Sequence, residues 1–415
     1  MSKLMNSGIN WIGTMPSDWD VKKIKYVGEL NGRIGWQGLN SSEYKDEGPY
    51  LITGIDFKDG RIDWDTCVHI DHSRWEEAKK IQIKNGDLLI TKDGTVGKVA
   101  IVENLEGLAS LNSGVLKINL KEGYLAKFLF YVLQSDVFCT WFNYTSSGNS
   151  TILHLYEKDF NNFIFCVPSF DEQMAIANYL QSKIENIDSI IWKTEKQLEM
   201  LEKYKKSLIK ETVTQGLNKG IALKETEYEW IGRIPLNWKV TKIKYYSEIY
   251  SGEAVSSNEY QEEGYPIMGA NGVLGYYDKK NIATDVISTG RVGTIGTFYL
   301  VRDCWATDNV LVIETKDIKL HYLYYYLQIV DIESLSTATA QPLITSTKLK
   351  NIPLLIPSHE EQSSIANYLN KKLYDINKIL GKKKQQISKL HEVKASIIYE
   401  YVTGKKRVGG FSNGD

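Results

Sequence analysis

VPSFDEQMAIANYLQSKIENID, residues 167–188, returns at 356–377 as IPSHEEQSSIANYLNKKLYDIN, with eleven of 22 positions identical. Ser169 and Glu172, like Ser358 and Glu361, fit S-x-x-E directly after a proline. That pattern predicts a capping box, in which Ser accepts the third helical amide and Glu reaches back to the cap. No Pro or Gly follows until Gly216 in the first copy, whereas the second meets Gly381 and then Gly404. Each copy therefore predicts a helix of about 45 residues, roughly 65 Å at ~1.5 Å per residue. Gly381 costs the second roughly 1 kcal/mol relative to Ala.

Apolar residues along both helices recur at alternating steps of three and four, the signature of a coiled coil. In the first the seam is Ala177, Leu180, Ile184, Ile187, Ile191, Thr194, Leu198, Leu201, Lys205, Leu208 and Thr212. In the second it is Ala366, Leu369, Leu373, Ile376, Leu380, Lys383, Ile387, Leu390, Lys394, Ile397 and Tyr401. The polar interruptions fall at matching places, Thr194 with Lys383 and Lys205 with Lys394. Two like helices in one register are expected to pair with each other rather than each to pack on a domain of its own.

A second repeat lies upstream of each helix. WIGTMPSDWDVKKIKYVGEL at 11–30 matches WIGRIPLNWKVTKIKYYSEI at 230–249 in eleven of twenty positions. The chain is thus two tandem halves, about 1–219 and 220–415. Within each, like ends enclose unlike middles that share little beyond Gly94-Thr95-Val96-Gly97 and Gly293-Thr294-Ile295-Gly296. The expected organisation is a first reader domain at 1–168, a helix at 169–219, a second reader at 220–357, a helix at 358–407 and a tail at 408–415. Both middles read as mixed α/β, which makes the fold α+β overall. Strands are expected at 87–91, 98–102 and 114–120, and again at 285–288, 297–301 and 309–314. A Tyr- and Leu-rich helix follows each set, near 124–143 and 320–335.

Composition narrows the function. With 42% apolar and 24% charged residues in 415, the chain is an ordinary globular one. No apolar run reaches the ~18 residues of a membrane span, and Met1 to Trp11 lacks the apolar core of a secretory signal. Four scattered cysteines without a CxxC pair fit a reducing cytoplasm. Fifty basic against 51 acidic residues give a net charge of −1, so any nucleic-acid surface rests on distribution rather than excess. The 359–407 segment carries eleven basic and five acidic residues, including Lys382-Lys383-Lys384 and Lys405-Lys406-Arg407. A solvated helical face and a nucleic-acid contact both account for that run.

No catalytic signature is present. There is no GxxxxGK[ST], no Asn-Pro-Pro-aromatic run, no dinucleotide glycine fingerprint, and no arguable Ser-His-Asp set. Asp20-Val21-Lys22 becomes Lys239-Val240-Thr241 in the other half, so it is not framework chemistry. Cys67, His69 and His72 lie close together but lack the further ligands a metal needs. The chain is expected to be non-catalytic, with no cofactor or metal of its own. Candidate DNA contacts are Lys92, Lys98 and Arg291 beside glycine turns, with Arg33, Gln37 and Asn271 in the turn-rich stretches 31–40 and 269–275. A glycine turn with free amides and a basic neighbour holds a phosphate; it is equally a plain β-turn.

The order W-I-G-x-x-P-x-x-W-x-V-x-x-I-K, divergent domain, P-S-x-x-E-Q-x-x-I-A-x-Y-L, long helix, all repeated, resembles the specificity subunit of type I restriction-modification systems over nearly the whole chain, from Trp11 to about Lys406. The resemblance implies two target-recognition domains, each reading half of a split sequence in double-stranded DNA. It implies an antiparallel coiled coil that sets their spacing. It also implies two modification subunits carrying S-adenosylmethionine for adenine-N6 methylation, and two restriction subunits using ATP and Mg2+. The alternative is a coiled-coil adaptor without DNA specificity, against which the unlike middles on like frames argue.

Because the first helix has a self-compatible seam and balanced charge, eight basic and eight acidic over 171–219, residues 1–219 alone are expected to dimerise. With modification subunits, that symmetric dimer should methylate an inverted repeat of one half-site. Light scattering and the methylated motif check this; a monomer, or a dimer still preferring the asymmetric site, rejects the pairing.

Overall fold

The computed structural model describes residues 4–33, 39–146, 153–292, 295–332, 343–409 and 411. They divide into two compact units, Met1–Lys193 with Gln386–Asp415, and Thr194–Gln385. In the first, the repeated framework strand Asp20–Lys23 pairs antiparallel with Ile164–Val167, just before the long helix. Between these two strands lies the reader. Its main sheet runs Val99–Ile101, Leu88–Thr91, Val115–Leu120, Gly28–Gly32. A second sheet is built on the parallel pair Lys45–Ile52 and Ala109–Leu111.

The second unit repeats this plan with other residues. Lys239–Lys242 pairs with Pro353–Ile356. The main sheet runs Phe298–Val301, Val286–Gly290, Val310–Thr315, Ser247–Ser251, and Tyr265–Gly269 lies parallel to Trp305–Ala306. The divergence in sequence therefore hides one common topology. Alternation explains how it survives: in the first unit Leu88, Ile90, Leu116 and Ile118 face a core shared with the helices, while Leu89, Ala100 and Val115 face the second sheet. In the second unit Ile287, Leu311 and Ile313 face one way, and Val286, Val310 and Val312 the other. A period of two with both faces covered needs only apolar residues of suitable size, not particular ones.

The helix expected near 124–143 is two, Ala126–Gln134 and Asp136–Ser146, broken at Ser135, whose hydroxyl bonds back to the Val132 carbonyl at 2.6 Å. Its counterpart is Leu320–Leu327. There Tyr322 and Tyr326 are buried and donate to the Leu355 and Pro353 carbonyls, so the tyrosine run is core rather than a base-stacking platform.

Phe170–Gln215 and His359–Val402 are single helices of 46 and 44 residues, the second unbroken at Gly381. Their starts correct the capping-box expectation. Ser169 and Ser358 do accept the amides of Glu172 and Glu361, at 3.4 and 3.2 Å. The glutamates, however, do not fold back. Glu172 is buried and accepts the indole N–H of Trp19 at 3.0 Å, and Glu361 accepts that of Trp238 at 2.9 Å. The adjacent glutamines serve the readers. Gln173 Oε1 accepts the Leu125 amide and Gln362 Oε1 the Lys319 amide, each at 2.9 Å, at the N-caps of the short reader helices. Each Glu-Gln thus joins a framework tryptophan on one side to a reader helix on the other.

The helices run antiparallel within each unit, since numbers on one fall as those on the other rise. In the first unit Tyr179 meets Tyr401 at 4.6 Å between centroids, and Asp188 meets Lys394 at 2.7 Å. In the second, Gln197 bonds Lys383, and Lys205 donates to Asn377 at 3.0 Å. The polar seam lysines therefore fix register by reaching across. Leu180, Ile184, Ile187, Ile191, Leu208, Leu369, Leu373, Ile376 and Leu380 are buried, whereas Leu198, Leu201, Ile387, Leu390 and Ile397 are only half-buried. Near each C-terminus the buried row shifts, to Ile209 with Val213 and to Ile398 with Val402, because there each helix also packs on a framework core.

The C-terminal ends close onto the tryptophans. Gly404 has φ +69°, and a Cβ on it would lie 2.3 Å from Pro16. Gly216 has φ +70°, with Glu361 at 2.8 Å from its would-be Cβ. Only glycine accommodates both the left-handed backbone and the approach. In the first unit Arg407 then grips Glu172 bidentately at 2.7 and 2.6 Å and reaches Asp18 at 2.9 Å. The basic tail segment is thus largely tied down, with Lys405 donating to the Ile12 carbonyl at 2.7 Å.

Glu172→Ala strands a buried indole N–H and a nearly buried guanidinium, and should cost about 3 kcal/mol. Glu361→Ala, which breaks the tryptophan bond without such a clamp, should cost about 1–2 kcal/mol. Thermal unfolding of the two variants side by side checks the order; equal losses would mean that Arg407 contributes nothing.

Candidate nucleic-acid interface

Strand Leu88–Thr91 ends in a glycine turn with φ +69° at Gly94 and +87° at Gly97. Thr91 staples it shut: its hydroxyl donates to the Thr95 carbonyl and accepts the Lys98 amide at 3.0 Å, while the Gly97 amide returns to Thr91 O at 3.0 Å. The Gly97 and Lys98 amides are thereby spent inside the turn, which favours the β-turn reading over a phosphate cradle. In the other unit Gly293 and Thr294 lie outside the described residues.

The candidate contacts separate sharply. Lys98 is exposed beside that turn and faces a groove of about 730 Å3. Lys92 is not available: its ammonium pairs with Glu157 at 3.1 Å with the side chain 13% exposed. Arg33 is a correction as well. It is buried, donating to the Leu111 carbonyl at 2.7 Å and to Ser110 Oγ at 3.0 Å, so it ties the two sheets together instead of facing DNA. Burial pulls its pKa below the usual arginine value, and Arg74 nearby adds to this. Arg291 is half-buried at the end of strand Val286–Gly290, its amide donating to Asn309 O and its carbonyl accepting from Ile344. Lys92 makes the same two backbone bonds, to Gly114 and from Leu155, so the two basic residues occupy equivalent positions. Asn271 is exposed at the tip of the hairpin joining Tyr265–Gly269 to Gly272–Tyr277. Gln37 lies outside the described residues.

The groove holds basic residues that sequence reading missed. Phe57–Lys58 and Arg61–Ile62 form a hairpin whose turn residues, Asp59 and Gly60, have φ +50° and +80°. Asp-Gly between paired strands is a strong short-range hairpin signal, and it was there to be read. Gly60 fits against Phe130, 2.6 Å from its would-be Cβ. This aims Lys58 and Arg61 into the groove opposite Lys98 and Lys127. Their side chains are 71% and 64% exposed, and their partners Asp63 and Glu103, at 3.1 and 3.4 Å, make surface pairs that water and phosphate displace at little cost. On the groove floor Lys394 is held by Asp188 and Lys127 by Gln181. Beside the turn, Asp93 bonds His154, whose ring stacks at 4.3 Å on the exposed Tyr156.

Nothing here performs chemistry. Among the described residues, no three His, Cys, Asp or Glu side chains converge as for a metal. The Cys67 thiol points to the Asp63 carbonyl, and burial pushes its pKa up; His69 Nδ1 lies 2.7 Å from the Gly48 carbonyl. Among the described residues no helix is long and apolar enough to cross a membrane.

Comparison with known proteins gives one result. A family model described as the type I restriction modification DNA specificity domain matches twice, at residues 16–200 and 235–389. The putative type I restriction enzyme MjaX specificity subunit of Methanocaldococcus jannaschii is 27% identical over 428 aligned positions, covering 96% of each chain. The EcoprrI specificity subunit of Escherichia coli is 25% identical, covering 72% of this chain and 75% of its own. Among solved structures, a chain from work on complex assembly and conformational transition of the type I R-M system superposes with a TM-score of 0.70 at 18% identity, over 94% of this chain and 99% of its own. The HsdS subunit of Thermoanaerobacter tengcongensis gives a TM-score of 0.51 at 15% identity, over 94% and 98%.

Lys98→Ala and Arg61→Ala are each expected to weaken binding to all DNA sequences alike and to lower the salt slope by about one. Lys92→Ala and Arg33→Ala should instead lower the melting temperature. Salt-titrated binding and thermal unfolding sort the four; an unchanged salt slope for both members of the first pair removes the groove from the interface.

Proposed function

The chain belongs to the type I restriction-modification DNA specificity family, and on that premise we propose how it divides the work of its system. It is the subunit that reads the DNA target. Each unit's reader takes one half of a split, non-palindromic site, making base contacts in the major groove. The observation that carries this is the pair of like-folded readers whose exposed tips differ: Asp93 with His154 beside one turn, Arg291 and Asn271 in the other unit. Identical readers on like frames would read a palindrome; unlike ones read two different halves. The antiparallel helices act as the ruler between the halves.

The chemistry sits on partners. Two modification subunits bind the chain, hold S-adenosylmethionine and methylate adenine N6 after flipping the base. Two restriction subunits supply ATP- and Mg2+-dependent motion and cleavage. The near-neutral charge of this chain then leaves much of the phosphate neutralisation to those partners, and the assembly works in the cytoplasm, where the DNA is.

In cells expressing the chain with its modification subunit, sequencing for N6-methyladenine should find a split, asymmetric motif methylated on both strands. The purified chain with S-adenosylmethionine should transfer no methyl group. A palindromic motif from the intact chain overturns the two-reader assignment; methyl transfer by the chain alone overturns its non-catalytic role.

A further inference from the structure

The two copies of the framework segment allow a subtraction. Residues shared for folding are buried; residues shared and exposed have another reason to be shared. In 11–30 and 230–249, seven aligned positions are exposed in both units. Four of them differ: Thr14 and Arg233, Ser17 and Leu236, Asp18 and Asn237, Asp20 and Lys239, the last with reversed charge. Drift has thus rewritten the open surface of the segment. The remaining three are identical and fall within five residues: Lys25, Tyr26 and Glu29, matching Lys244, Tyr245 and Glu248.

Packing does not account for that identity. Tyr26 is 58% exposed and Tyr245 64%. The geometry around them is nonetheless the same. Ile24 and Ile243, both fully buried, donate their amides to the Phe163 and Ile352 carbonyls at 2.9 and 3.1 Å, which turns the following residues outward. Lys25 Nζ stands 5.3 Å from the Tyr26 centroid, and Lys244 Nζ 5.0 Å from that of Tyr245. Glu29 pairs with Lys80 and Glu248 with Lys316. Each unit therefore carries the same exposed tyrosine with a lysine set over its ring.

We propose that Lys25–Tyr26 and Lys244–Tyr245 are twin docking sites for two copies of one protein, the modification subunit. This rests on the functional reading above. A partner that binds twice to a chain with two unlike halves must find the same surface on each, and this pair meets that condition where the neighbouring surface does not. A large, half-rigid aromatic with a cation beside it is the composition of protein–protein hot spots. The shared exposed glutamate, repelled by phosphate, points away from a nucleic-acid backbone as the occupant. The matching partner surface offers a flat apolar contact with a carboxylate at its edge.

The test co-expresses the chain with its modification subunit and reads stoichiometry by native mass spectrometry. The intact chain should carry two copies. Tyr26→Ala and Tyr245→Ala should each carry one tightly, with the second weakened about tenfold or more, and the double variant should carry none at the same concentration. Tyr→Phe should retain binding, Lys25→Glu should weaken it, and all variants should melt as the parent does, since the side chains are exposed. An intact chain that takes up no methyltransferase overturns the functional reading and this assignment with it. Normal uptake by the intact chain and the double variant alike overturns the assignment alone. So does retained stoichiometry with DNA affinity lost equally for all sequences, which would make the surface a phosphate contact.

Discussion

The indole-to-carboxylate bond at the start of each long helix is the constraint on which the remainder hangs. Trp19 to Glu172 and Trp238 to Glu361 span 153 and 123 residues of chain, with a whole reader folded between the partners. A buried carboxylate is costly unless its oxygens are satisfied. Each glutamate therefore dictates where its tryptophan strand must lie, and that strand in turn pairs with the one leading into the helix. The neighbouring glutamine then sets the reader's short helix against the same turn. Position and direction of the reader follow from two adjacent side chains on one helical turn.

The two joints are alike but not equal. Both admit the C-terminal glycine of a long helix against the tryptophan, but in the first unit Arg407 adds a second charge to Glu172 and a bond to Asp18. Among the described residues no arginine joins Glu361. The asymmetry follows from the chain: the tail after Gly404 ends there and has only this joint to serve, whereas the segment after Gly216 leads on into the second framework strand.

Features with a local or periodic signature were legible in the sequence. The heptads gave helices within a residue or so of the expected length, and the apolar runs located all six main strands named beforehand. Features that depend on partners distant in the chain were not. S-x-x-E describes a local cap, and nothing near Glu172 reveals that its true partner is a tryptophan far upstream. Arg33 follows a strand in a turn-rich stretch and so looked free, but it turns inward to carbonyls about eighty residues on. Lys92 was open to suspicion only through Glu157, 65 residues away. The common reader topology was invisible because a two-sided sheet asks for apolar alternation and not identity. Ile398 replaced Ile397 in the buried row because the helix end answers to two surfaces, and heptads describe one.

The ribbon formed by Asp20–Lys23 with Ile164–Val167, and by Lys239–Lys242 with Pro353–Ile356, brings the two ends of each reader side by side, Lys23 opposite Ile164 and Lys242 opposite Pro353. Paired strands hold such residues about 5 Å apart. Any domain whose termini meet at that spacing can occupy the socket without disturbing the helices. Genetic exchange that breaks within the repeated segments on either side would then deliver a complete cassette, and a new target could be acquired in one recombination step instead of by gradual change of single contacts.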